Sequence, residues 1–164
     1  MLVIVGHGPS LLTKQRGPWL DEQTVVRLKG CPKPDPLYFG TRTDYQFVNK
    51  LGCPPQGCPV WAFVFMLGGI PQAQNADRER WMKYYASFGP SWTKPSSGLR
   101  AIFCAVEFTG AKQIGIVGFD KFMDASRNPN KWNQAPFDAP PGSKEHDYEK
   151  ERQCAESLVE LVEV

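Results

Sequence analysis

Apolar positions come in short runs along the chain, separated by breaks rich in glycine and proline. Leu2–Val5 is a β-branched run that reads as a buried strand, and it ends in Gly6-His7-Gly8-Pro9-Ser10. A helix is predicted to start near Ser10, its length limited by Pro18. Thr24–Leu28 reads as a second strand, the proline-rich Cys31–Pro36 as loop, and Leu37–Phe39 as a short strand. Thr43 is placed to cap a short helix running to Val48 or Asn49. Val60–Leu67 is the most apolar run and reads as a central strand. Asn75 or Asp77 caps a helix across Arg78–Phe88, and Ser96 or Ser97 opens another that ends near Gly110. Gln113–Phe119 reads as a buried strand and Asp120–Lys144 as a polar loop. A last helix is expected from near His146 to the C-terminus, with Leu158, Leu161 and Val162 on one face.

Strands alternating with helices imply an α/β sandwich with a mostly parallel sheet. Ligands bind such sheets at the carboxyl ends of the strands, which singles out Gly6–Ser10, Lys94–Gly98 and Gly118–Asp120 as loops that can share one crevice. The length of 164 residues fits one domain spanning residues 1–164. A net charge of +2 does not suggest a dedicated nucleic-acid binder. No window approaches the roughly 18 apolar residues of a membrane span, and the first residues do not resemble a signal peptide. The five cysteines are odd in number and irregularly spaced, and Cys53 and Cys58 flank Pro-Pro-Gln-Gly, which is not a zinc knuckle. Reduced thiols in a cytosolic protein, with no metal site, are expected.

Each loop admits two readings. Gly6–Ser10 is either a tight strand-to-helix turn or a cradle that lets backbone N–H groups reach a phosphate; it lacks the third glycine of a dinucleotide fingerprint. Ser96, Ser97 and Gly98 either cap the following helix or hold a ribose, phosphate or carboxylate. His146 with Glu151, in His-Asp-Tyr-Glu-Lys-Glu, is either a charged helix start or a general base with a supporting acid.

Taken in order, the three elements resemble the eukaryotic-type sialyltransferases, the glycosyltransferases that use CMP-sialic acid. That superfamily carries a long, a short and a very short motif. The segment from Val3 to Val48, with its strand-Gly-x-Gly start, Val-Val-Arg strand and Gly-Thr-Arg-Thr segment, resembles the long motif. Lys94–Phe119 resembles the short one, and His146 followed by four residues and Glu151 matches the very short one.

The resemblance implies a Rossmann-like three-layer sandwich of the GT-A-variant type, binding a CMP-linked nonulosonic acid such as sialic acid, or Kdo. Carried over residue by residue, Gly6, His7, Gly8 and Ser10 fall at the nucleotide. Ser96, Ser97 and Gly98 fall at the nucleotide or donor carboxylate, Gly118 and Phe119 on the cytidine side, His146 on the catalytic base and Glu151 on its supporting acid. The family usually has Asn where His7 and Lys29 stand; both replacements still donate to phosphate. Its disulfide joins the long and short motifs, but Leu2 stands near one expected cysteine and Thr109 or Gly110 near the other, so no bridge is expected. With no membrane anchor, the expected location is cytoplasmic.

The expected activity is inverting and metal-independent glycosyl transfer. The chain has no Asp-x-Asp metal motif; Asp120 and Asp124 are four apart. The small-molecule partner is the nucleotide sugar, with the acceptor open and no nucleic acid. Family catalytic domains are longer between the long and short motifs, on the acceptor side. A CMP-sugar hydrolase with water as acceptor is therefore an alternative, as is a nucleotide-binding module without turnover.

Overall fold

The computed structural model describes residues 1–28, 35–49, 57–64, 69–90, 94–120 and 146–164. Among them are seven strands: β1 (Leu2–Val5), β2 (Thr24–Leu28), β3 (Tyr45–Val48), β4 (Val60–Ala62), β5 (Gln74–Asn75), β6 (Gln113–Val117) and β7 (Glu160–Glu163). The helices are α1 (Gly17–Asp21), α2 (Arg78–Ala86), α3 (Ser97–Thr109) and α4 (Tyr148–Glu156). The strands form one sheet in the order β5-β4-β3-β2-β1-β6-β7, and every ladder is parallel. Leu2 of β1 stands between Thr24 of β2 and Ile114 of β6.

Parallel strands are covered on both faces, so their sequences read as continuous apolar runs. Ile4, Val26, Phe47, Trp61, Ile114 and Ile116 face the larger core with α2, α3 and α4. Val3, Val5, Val25 and Val117 face the other side, packed with Leu11, Leu20 and Phe39. Helix α3 is buried continuously from Leu99 to Ala105. It opens at Ser96, whose hydroxyl accepts the Leu99 N–H at 3.3 Å, and closes at Gly110 in the left-handed conformation (φ 64°). The architecture is Rossmann-like α/β, as the sequence led one to expect.

Several elements differ from expectation. Thr43–Asn49 holds the strand Tyr45–Val48 where a helix was expected, because the Thr43 and Asp44 side chains are engaged elsewhere. Thr43 Oγ1 accepts from Arg27 Nε at 3.0 Å, and Asp44 Oδ2 accepts the Val25 N–H of the neighbouring strand at 2.7 Å. Tyr45 and Phe47 then supply strand-favouring side chains. Leu37–Phe39 is a turn: Asp35 Oδ1 takes the Leu37 and Tyr38 N–H groups at 2.8 and 3.1 Å, an Asx turn that folds the segment on itself. Near Ser10 there is only a 3-10 turn, Pro9–Leu12, while Pro18 starts α1 instead of limiting a helix.

Among the described residues, the run from Val60 is strand over Val60–Ala62, next to the edge strand β5 and not at the centre. Its apolarity reflects Trp61 and Phe63 buried under the helices. The polar pair Gln74–Asn75, which had no strand signature, forms β5. The last helix stops at Glu156, and the chain returns as β7, which satisfies the outer edge of β6. Leu161 and Val162 therefore alternate across a strand and do not share a helical face. Of the loop expected at Cys31–Pro36, residues 31–34 lie outside the described residues, as do residues 51–56 and 121–145.

Candidate functional site

Strand order reverses between β1 and β6, the place where open parallel sheets form their ligand crevice. The loops leaving these two strands are bound to each other. The Gly6 N–H donates to the Val117 carbonyl and the Gly8 N–H to the Gly118 carbonyl, both at 2.8 Å. Gly118 has φ 71°, and a Cβ on it would lie 2.9 Å from Leu11 Cγ, so conformation and space both demand glycine. A Cβ on Gly6 would lie 2.5 Å from the Gly118 oxygen, and one on Gly8 1.7 Å from Asp120 Oδ2. The glycines of the first loop thus serve its contact with the second. Asp120, 7% exposed, accepts the Ser10 N–H at 3.2 Å and ties the two loops again.

The start of α3 joins the same place. The Phe119 ring lies between Gly6 and Gly98, 3.0 and 2.6 Å from the positions their Cβ atoms would take. The structure therefore brings Gly6–Ser10, Ser96–Gly98 and Gly118–Phe119 together. His7 is half-buried in the first loop. Lys29 lies outside the described residues. Asn49, which sequence reasoning missed because β3 was read as helix, ends that strand and donates from Nδ2 to Ser97 Oγ at 2.5 Å.

The N-terminus of α4 docks on that of α3. Asp147 caps α4 by accepting the Lys150 N–H, leaving His146 just before the cap and Glu151 four residues into the helix. These two positions approach each other at any capped helix start, which explains the five-residue spacing. His146 Nδ1 lies 3.2 Å from the Lys94 carbonyl oxygen and 3.4 Å from Glu151 Oε1. A carbonyl only accepts, so Nδ1 carries the proton and Nε2 of the neutral ring keeps its lone pair. The imidazole is 23% exposed.

Glu151 is fully buried, and its Oε1 accepts the Ser96 N–H at 2.7 Å. Among the described residues its Oε2 has no hydrogen-bond partner, nor does the Tyr85 hydroxyl. Burial, then Glu151, pushes the Cys154 thiol up to about 12 and the Tyr85 phenol upward. Burial lowers Arg100 to about 10, with Glu151 opposing the shift. Arg100 was legible as a charge interrupting the apolar run of α3 but was not singled out.

No protein-family model matches the sequence, and no curated protein matches it. The fold is similar to a solved structure, the crystal structure of a mammalian sialyltransferase, with a TM-score of 0.63 and 13% sequence identity. The match covers 99% of this chain and 68% of that one. At that identity the likeness establishes the fold. No helix among the described residues is long and apolar enough to cross a membrane.

Proposed function

We propose that the chain is an inverting, metal-independent glycosyltransferase whose donor is a CMP-activated nonulosonic acid of the sialic-acid type. The observation that carries this reading is the contact of His146 and Glu151 with the start of α3, in a fold similar to that of a sialyltransferase. His146 Nε2 removes the proton of an acceptor hydroxyl as its oxygen attacks the anomeric carbon, and CMP leaves from the opposite face. The N–H groups of Ser97 and Gly98, in the first turn of α3 where the helix offers no carbonyl, receive the phosphate or the donor carboxylate. His7 and Lys29 add further donors, and Gly118 and Phe119 border the cytidine. Donors fixed in place before charge develops on the leaving group lower the barrier. A single phosphate leaving group needs a divalent cation less than a diphosphate does. Glu151 acts on His146 as a positioning acid.

Calorimetric titration with CMP, using UMP and GMP as controls, tests the donor site. CMP is expected to bind at least about tenfold tighter than either control. Equal affinities for the three nucleotides would overturn the reading. CMP release from a CMP-sugar without added acceptor would redirect it to a hydrolase.

A further inference from the structure

The buried guanidinium of Arg100 belongs to no part of the scheme above, yet it is bonded to the loop that the scheme uses. Arg100 is 8% exposed and sits in the first turns of α3, where the helix dipole disfavours a cation and burial lowers its pKa. A position that costly calls for a compensating contact. Arg100 Nε donates to the Pro95 carbonyl at 2.7 Å, and Glu151 Oε1 accepts the Ser96 N–H at 2.7 Å. The Pro95 carbonyl and the Ser96 N–H are the two ends of one peptide unit. A cation therefore holds its oxygen and an anion its hydrogen, each through a charge-assisted bond. The next carbonyl upstream, Lys94, receives His146 Nδ1. The Ser96 hydroxyl caps α3 on the downstream side.

We infer that Arg100 is a positioning residue: with Glu151 it clamps the Pro95–Ser96 peptide, and so fixes both the first-turn N–H groups of α3 and the carbonyl that orients His146. The clamp rests on the geometry, and its importance for a nucleotide rests on the proposed function. Arg100 touches no substrate in this scheme. It acts through the peptide, which then holds the base at one end and the anion donors at the other. The arrangement also assigns the buried Glu151 a second task. Its Oε1 is shared by the peptide and the imidazole, so a displaced Pro95–Ser96 peptide displaces His146 with it.

The chain has two histidines, so the His146 imidazole is readily resolved by 15N-detected NMR. In the wild type its Nδ1–H tautomer and a slowly exchanging Ser96 amide are expected. In Arg100→Met, the Ser96 amide is expected to exchange at least tenfold faster relative to the Val3, Ile4 and Val26 amides. The His146 tautomer preference is expected to be lost, and CMP affinity to fall about tenfold. An unchanged Ser96 amide and tautomer in folded Arg100→Met would overturn the clamp. Arg100→Lys keeps a charge and a donor, preserves compensation of Glu151, and decides the matter if the Met variant does not fold. It is expected to restore the Ser96 and His146 signals, and their loss in a folded Lys variant would overturn the inference. A wild type that shows both signals but binds no CMP would contradict the proposed function and leave the clamp supported.

Discussion

Gly6 meets the Gly118 carbonyl so closely that a Cβ has no room, and the obstacle is backbone. Gly6→Ala is therefore expected to destabilise the fold by about 1–3 kcal/mol, the usual cost of overpacking, read from a shifted urea midpoint. An unchanged midpoint would mean that the two loops part freely. The glycines were visible in the sequence, but their reason was not: a Gly-x-Gly after a strand looks the same whether it admits a phosphate or a neighbouring loop. His146 and Glu151 were singled out as a pair through the resemblance to the very short motif, while their spacing alone left a charged helix start open. What the spacing hid was that His146 lies outside the helix, where Nδ1 meets a carbonyl 52 residues earlier in the chain. Arg100 carried a plain signal, a charge among apolar neighbours, but its partner is a backbone atom that no side-chain pattern reveals.

Among the elements, those with strong local signals were readable. The β1, β2 and α3 segments have branched runs or a serine cap and a terminal glycine, and each forms where expected. Elements whose polar residues bond to distant backbone were misread. The connection from β2 to β3 shows this most clearly: Asp21, at the end of α1, accepts its Thr41 and Arg42 N–H groups, and Asp44 accepts the Val25 N–H of β2. Burial pushes the Asp21 carboxyl up, but bonds from the Arg42 and Thr41 N–H groups and the Thr41 hydroxyl hold it below the usual range. Asp44 likewise is raised by burial and brought below its usual range by Arg42 and the Val25 N–H.

A carboxyl held low in the folded chain binds fewer protons folded than unfolded, so its stabilisation is complete above the unfolded value of about 3.9 and is lost as pH falls through the folded one. Asp21→Asn is thus expected to lower Tm at pH 6 and to differ little from the wild type below about pH 3. A Tm difference that stays constant across that range would contradict the role given to Asp21. Arg27 braces the same connection. It is buried in β2 and donates to the carbonyls of Phe39, Gly40 and Arg42, so the Val-Val-Arg strand and the Gly-Thr-Arg-Thr segment are physically joined.

For the molecule as a whole, the all-parallel order places the loops of β1 and β6 side by side, and α3 and α4 bring their first turns to the same end of the sheet. Three segments far apart in sequence, around residues 6, 98 and 119, meet at one place, with His146 held beside the start of α3. Alternation of strands and helices foretold the layers. Sheet order and the docking of α4 on α3 depend on contacts between distant segments, and periodicity carries no record of them. The central claim is that this assembly transfers a sugar from CMP with His146 as base. Its most direct test is the rate of CMP release from CMP-sialic acid in EDTA, with an acceptor glycan present, for the wild type and His146→Ala, alongside the CMP affinity of each. The wild type is expected to release CMP. His146→Ala is expected to be slower by roughly 10²–10⁴-fold with CMP affinity nearly unchanged. Equal rates for the two proteins, or no release by the wild type, would contradict the account.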